Sequence, residues 1–368
     1  MRYLDGALSS RQNNFDLIRL LAAALVIYGH TFTFVANSGA RDIIRVLTGF
    51  DSGDLAVKSF FFLSGLLVTN SIIEGKSLKK YVVSRLFRIM PALLFMLLIV
   101  TFCIGTALTT LPLGDYLVHS GTYRFFVKMS LFGGWGAVGG GYHQLPGVFE
   151  ASPASGSVNV PLWTLTVEVF SYALILALFA LGLLQKRVTL VLALVIIGDS
   201  MLGKPVLFYF LPDTLDHRFT PFCFALGGLC AVYKQEVSVS FLMPFGFGLL
   251  YVLFRGAVWD DYVFYAAVFS TILAVACAPQ VVKLKLKGDI SYGLYLWGWP
   301  LQQLVLFMWP GISFAMHLLL SLVSATLMAI VSWKLVERPA MDLARKLLNL
   351  SMTRSAAGVP EPAIKKVG

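Results

Sequence analysis

The sequence predicts an all-α integral membrane protein, a polytopic bundle of about ten transmembrane helices with both termini cytoplasmic. Three observations lead there. Of 368 residues, 58% are hydrophobic and 13% charged, with a mean hydropathy of +0.79, so lipid rather than water is the expected solvent. Apolar runs close to the ~20 residues that a spanning helix needs recur along the chain between charge clusters and Gly/Pro breaks. Most of the 29 Lys and Arg residues fall in connections that a cytoplasmic N-terminus would place inside, as the positive-inside rule requires of an even number of spans.

The spans are expected near 16–36, 55–73, 87–107, 160–184, 188–203, 218–233, 238–254, 262–281, 290–309 and 313–334, those at 188–203 and 218–233 having the weakest signal. Met1 to Gln12 has arginines but no apolar core with a small-residue cleavage site, so the first span is expected to be retained. The basic groups Lys76 to Arg88, Lys186–Arg187, Lys283/Lys285/Lys287 and the tail from Lys334 mark the cytoplasmic edges. The net charge of +10 then reflects topology and anionic headgroups, which makes membrane lipid an expected partner and nucleic acid not. The long connection 108–159 would lie outside. Its Gly133–Gly134 and Gly139–Gly140–Gly141 stretches among Trp135, Tyr142 and His143 read either as a functional loop or as a plain crossover. Residues 1–340 form one transmembrane domain, and 341–368 a basic cytoplasmic tail, disordered at its end. Cys103, Cys223, Cys230 and Cys277 lie in apolar stretches with no CxxC pair, so neither a metal site nor a disulfide framework is expected.

Ionisable groups inside spans are costly and point to function. Asp16, Arg19, Ala23, Ile27 and His30 follow steps of three and four, which puts them on one stripe of the first helix. Asp16 and Arg19 are close enough to pair. His30 lies about 21 Å above Asp16 at 1.5 Å per residue, in the outer half of the membrane, either as a working imidazole or as a histidine satisfied by a neighbouring helix. Arg85 and Arg88 share a direction by their three-residue spacing, which suits either a phosphate arriving from the cytoplasm or a pair of topology anchors. Glu168, in Pro161-Leu-Trp163-Thr-Leu-Thr-Val-Glu168, needs a cation or a proton. It could orient a histidine, balance an arginine, or form a purely structural pair. Ser64–Gly65 permits close helix approach. Tyr292, Tyr295, Gln302 and Gln303 offer polar tips near the ninth span, where Pro300 would kink the helix or free a carbonyl.

Asn14-Phe-Asp-Leu-Ile-Arg19 ending in Gly29-His30, Phe60-Phe-Phe-Leu-Ser-Gly65, Arg85-Leu-Phe-Arg88 with Pro91, Trp163 to Glu168, Ile290-Ser-Tyr-Gly-Leu-Tyr-Leu-Trp297 and Val336-Glu-Arg-Pro339 occur in this order. In that order and spacing the chain resembles the acyltransferase-3 family of bacterial membrane acyltransferases, which modify O-antigen, exopolysaccharide, peptidoglycan and Nod factors. It departs at Gly298, where many relatives carry histidine. The resemblance implies a stand-alone, multi-pass inner-membrane O-acetyltransferase acting on a hydroxyl of a cell-envelope or secreted glycan or lipid-linked saccharide. Acetyl-CoA is its donor substrate, and no bound cofactor is expected. Under that resemblance His30 is the general base, with Asp16 and Glu168 tuning the charged groups. Arg85 and Arg88 take the CoA phosphates at the cytoplasmic mouth, the pantetheine arm runs up the bundle to His30, and Arg19, Ser64, Trp163, Tyr292, Tyr295 and Gln302 line its path. A transporter or flippase would suit ten helices and buried charge equally well.

Overall fold

The computed structural model describes residues 2–10, 12–36, 39–131, 144–154, 156–202, 206–207, 215–284, 286 and 288–356. The Gly-rich part of the long connection, with Trp135, Tyr142 and His143, lies outside the described residues, as does the end of the tail. The helices are α1 (Leu4–Ser9), α2 (Phe15–Phe34), α3 (Ile43–Thr48), α4 (Ser52–Gly75), α5 (Leu78–Ile99), α6 (Gly105–Leu108), α7 (Leu113–Val118), α8 (Ser120–Ser130), α9 (Trp163–Ala180), α10 (Lys186–Met201), α11 (Leu215–Val232), α12 (Leu242–Leu253), α13 (Asp260–Ala276), α14 (Pro279–Val282), α15 (Ser291–Met308), α16 (Phe314–Ser332) and α17 (Arg338–Ala356). Wider π-turns at Val100–Ile104 and Trp333–Glu337 join α5 to α6 and α16 to α17. Two short strands, β1 (Arg2–Tyr3) and β2 (Ser238–Val239), pair antiparallel.

Among the described residues, five helical stretches are long and apolar enough to cross a membrane: Phe15–Phe34, Ser52–Gly75, Leu78–Leu108, Val160–Ala180 and Phe314–Asn349. Helices α10, α11, α12, α13 and α15 occupy the other expected spans but run only 12 to 18 residues. The chain is a mainly helical, multi-pass membrane protein.

Local chemistry sets the helix ends. The Asn14 side chain accepts the Leu17 N–H at the start of α2 (3.1 Å), while its amide donates to the Val281 and Leu284 carbonyls. One side chain therefore caps α2 and ties it to the segment leading into α15. Asp51 caps α4 through the Gly53 N–H at 2.8 Å, and Ser77 caps α5 through that of Lys80.

Small residues then let helices touch at their backbones, which is how helices associate where no water drives them together. A methyl group on Gly29 would lie 2.7 Å from the Gly53 nitrogen, one on Gly65 2.1 Å from the Phe224 carbonyl oxygen, and one on Gly227 2.0 Å from that of Phe62. Gly29 thus seats α2 on α4, and Gly65 and Gly227 seat α4 on α11. The close approach expected at Ser64–Gly65 is present.

The described parts of the long connection pack against the bundle. Its first part forms α7 and α8, with Tyr116 and Phe125 buried. Its last part descends into the bundle against α15. Trp299 Nε1 donates to the Ser157 carbonyl at 2.8 Å, as does Gln303 Nε2. Asn159 Nδ2 donates to the Leu296 carbonyl at 3.0 Å, and Tyr295 OH to the Pro161 carbonyl at 2.9 Å. Val158, Asn159 and Leu162 are buried. Irregular backbone is stable at membrane depth only when protein covers it and satisfies its polar groups, and α15 does both here. Pro300 supplies part of the reason: it has no N–H to give the carbonyl four residues back, that of Leu296, and Asn159 takes its place. Helix α15 stays continuous through Pro300, with the freed carbonyl as the docking point. The span expected to start at 160 does so in a 3-10 turn, Val160–Leu162, which continues into α9 at Trp163.

Candidate active site

The short entry of α9 brings polar side chains from four helices around a small, partly open cavity, lined by Arg19 and Ser64 from α2 and α4, Thr164 and Glu168 from α9, and Tyr292 and Tyr295 from α15, with Val57, Phe60, Phe61 and Leu165 as its apolar walls. Glu168 Oε1 accepts the Ser64 hydroxyl at 3.2 Å and the Tyr172 hydroxyl, and these two hydroxyls are 2.9 Å apart. Both bonds converge on one oxygen. Tyr295 is fixed by the Pro161 carbonyl and the Thr164 hydroxyl (2.7 Å), and Tyr292 by the Ile89 carbonyl at 3.3 Å.

Below the cavity lies a cluster of four charges. Asp289 Oδ2 is 2.9 Å from Arg19 and 2.5 Å from Arg88, and Arg88 is also 3.8 Å from Glu337. Asp289 Oδ1 accepts the Ser291 N–H and hydroxyl. Burial alone would raise the Asp289 carboxyl; the two guanidiniums and Ser291 overcome it and hold the group well below the usual carboxylate range. The cluster is balanced, two cations against two anions.

Several sequence expectations change. Arg19 pairs with Asp289 rather than Asp16, which is exposed in the first turn of α2; the segment before α15 brings the buried carboxylate alongside. Arg85 and Arg88 do not act as one fork. Arg88 turns to Asp289 and Glu337, while Arg85 lies 5.9 Å from the centre of the Tyr172 ring with its Nε unpartnered. Gln302 is not at a ligand surface: its side chain is fully buried and donates to the Ile27 carbonyl (2.8 Å) and Thr31 hydroxyl (3.1 Å), bracing α15 against the turn that holds His30. Trp163 packs into the apolar core beside α4 and α11 and leaves the cavity wall to Thr164.

His30 lies outside the cavity, and Glu168 does not orient it. The imidazole meets the Trp299 ring edge-on, centroids 4.7 Å apart, and Phe34 packs on the same indole at 4.9 Å. Among the described residues its ring nitrogens have no hydrogen-bond partner. Between Arg19 and His30 the stripe runs through Ala23 and Ile27, which are 0% and 1% exposed. Ile27 fills the space beside Gly298, where a methyl group would lie 2.9 Å from Ile27 Cγ1. An imidazole at 298 has no room beside this α2.

Sequence reading missed Asp289, Tyr172, Trp299 and Asn159, and passed over Glu337 inside a motif it had noticed. Asp289 carried a signal, a carboxylate just beyond three lysines at a membrane edge. It also missed Lys58 in α4, which is 3% exposed, paired with Asp54, and 5.0 Å from the Tyr265 ring centre; Tyr265 OH donates to Asp54 at 3.0 Å. Among the described residues no group of three or more His, Cys, Asp or Glu could hold a metal ion.

Comparison with known proteins assigns the family. A family model described as an acyltransferase domain matches residues 12–335. The chain is 27% identical to the O-acetyl transferase of Shigella phage Sf6, over 92% of this chain and 99% of that protein. It is also 27% identical to Nodulation protein 10 of Rhizobium leguminosarum bv. viciae, over 92% and 96% of the two chains. No solved structure matches. With the family's domain spanning most of its length in an apolar helical bundle, the chain belongs to the acyltransferase-3 family and is a membrane acyltransferase.

Proposed function

We propose that this protein is an O-acetyltransferase of the bacterial inner membrane, which moves acetyl from acetyl-CoA to a hydroxyl of a cell-envelope or secreted glycan, free or lipid-linked. The name of the phage relative supports acetyl as the group transferred. In this reading ten helices span the bilayer, the five shorter ones completing the bundle, with both termini in the cytoplasm and residues 341–368 as a basic tail. The observation that carries the chemistry is the cavity with Arg19 of α2 and Glu168 of α9 in its wall, Arg19 lying on the stripe of α2 that leads up to His30, whose ring nitrogens have no hydrogen-bond partner among the described residues.

Arg85, which pairs with no carboxylate among the described residues, takes the donor's phosphates; Arg88 is already neutralised. The acyl end enters the cavity. His30 lies eleven residues above Arg19, roughly 16–17 Å at the helical rise, and Ile27 closes that stretch, so transfer requires α15 to ease away from α2 at Gly298. The acceptor hydroxyl oxygen attacks the thioester carbonyl carbon while His30 takes its proton. The C–S bond breaks, and the thiolate leaves as CoA thiol on receiving that proton. Base assistance of this kind commonly contributes about 10²–10⁴-fold.

The test is transfer of radiolabelled acetyl from acetyl-CoA to envelope glycans by purified protein, with His30→Ala alongside. Label on the glycan with wild type and a loss of at least ~10²-fold with His30→Ala are expected. Movement of glycan across the membrane without label would mean a transporter, and full activity of His30→Ala would remove the base.

A further inference from the structure

The four-charge cluster holds the arginine of the cavity wall in a way that catalysis can use. Arg19 is partly open to the cavity, and the ion pair that fixes it is with Asp289. Asp289 is itself immobilised: one oxygen is shared by two guanidiniums, the other accepts two bonds from Ser291 at the first turn of α15. Arg88 shares the same oxygen and has Glu337 as a second, more distant carboxylate at 3.8 Å. That carboxylate is 1% exposed and reaches the cluster because the π-turn Trp333–Glu337 widens the helix, so that Ser332 Oγ donates to Glu337 Oε1 at 3.0 Å. Gly293 keeps the gap open, since a methyl group there would lie 3.1 Å from Glu337 Oε1.

We propose that Asp289 is a positioning residue for acyl transfer: it fixes the Arg19 guanidinium in the cavity wall, where that group aligns the arm of the acyl donor below His30, while Glu337 gives Arg88 a second carboxylate. This rests on the reading that the acyl end of the donor enters the cavity. Without the Asp289 charge, Arg19 loses its ion pair and Arg88 retains only Glu337. The guanidinium then points into the cavity in many orientations. A misplacement of about 1 Å in the bound donor, even when its cause lies away from the reacting atoms, can cost on the order of 10²-fold in rate. The loss falls on turnover more than on donor affinity, because Arg85 stays where it is.

The experiment is a double-variant cycle with Asp289→Asn and Arg19→Gln, read as kcat and KM for acetyl-CoA in the full-length protein, together with thermal unfolding in the same detergent. Asp289→Asn should lower kcat by roughly 10²-fold with KM moving less than about threefold, and Asp289→Glu should recover at least about tenfold. The double variant should be no slower than Arg19→Gln alone, because the aspartate acts through the arginine. Multiplying losses, or a wild-type kcat in Asp289→Asn, would overturn the assignment. Thermal unfolding gives a second reading: the two substitutions must be non-additive there too, and additive shifts count against Asp289 acting on Arg19. A wild-type protein inert toward acetyl-CoA would instead overturn the donor reading, and the thermal cycle then still decides whether the two residues are coupled.

Discussion

Replacing Gly65 by alanine tests whether the site depends on backbone contact between α4 and α11. The new methyl carbon would sit 2.1 Å from the Phe224 carbonyl oxygen and 2.9 Å from its carbon. Both are backbone atoms, so no side chain can rotate away. Restoring ordinary contact at 3.4 Å moves the helices about 1.3 Å apart in an interior packed as densely as a crystal. Overpacking commonly costs about 1–3 kcal/mol, and with no flexible neighbour the upper end or beyond is expected, against a helix-propensity gain of about 1 kcal/mol. Ser64 is the next residue and bonds to Glu168 of another helix at 3.2 Å, so a shift of that size breaks this bond and should lower acyl transfer by on the order of 10²-fold. Thermal unfolding and initial transfer rates of the purified protein measure the two effects. Gly248→Ala, where nothing lies within 4 Å, is the control and should be neutral or slightly stabilising. A Gly65→Ala protein melting with wild type and turning over within twofold of it would refute the reasoning.

Ile27→Ala should remove the plug beside Gly298, cost about 2–5 kcal/mol, and make Gly298→Ala harmless in the double variant; thermal melts in which the two losses add would contradict the contact. Lys58→Ala strands the Asp54 charge in the bundle and should destabilise by about 3–5 kcal/mol, while Asp54→Leu with Lys58→Met costs much less; equal melting losses would show that the pair is not coupled. The pH dependence of Asp289 has a definite sign. Because its folded-state carboxyl is held low, its contribution is fully present above the unfolded value of about 3.9 and fades only as pH falls below it. The melting-temperature gap between wild type and Asp289→Asn should therefore be constant from about pH 8 to 5 and close below about pH 4; closure between pH 7 and 5 would contradict the ion cluster.

Much of the bundle was legible because lipid imposes a simple grammar of apolar length and basic edges. The stripe from Arg19 to His30 followed from helical period alone. What stayed hidden was contact across the chain: Arg19 meets a carboxylate 270 positions away, and no periodicity encodes that partner. The local guess, Asp16, was the nearest residue of the right charge. Arg85 and Arg88 shared a face, yet three residues of separation were enough for different neighbours to draw them apart. The descent of residues 157–162 was invisible for a different reason. Such backbone has no repeating pattern, and its polar groups are satisfied by Trp299, Gln303 and Tyr295, which read on their own as interfacial or polar tips. Pro300 pointed to a freed carbonyl without naming Asn159 as its partner.

That descending stretch has a consequence for register. Ser157, Asn159 and Pro161 alternate in meeting successive turns of α15, as a lace meets eyelets, starting just after Gly156 with its φ of +71°. Exposed loop tips absorb added or missing residues with little effect. Between Ser157 and Thr164 a single deletion would turn every carbonyl and amide out of step with its eyelet and rotate the start of α9 by about 100°, carrying Glu168 away from Ser64. Length along this stretch is therefore as fixed as it is inside a helix.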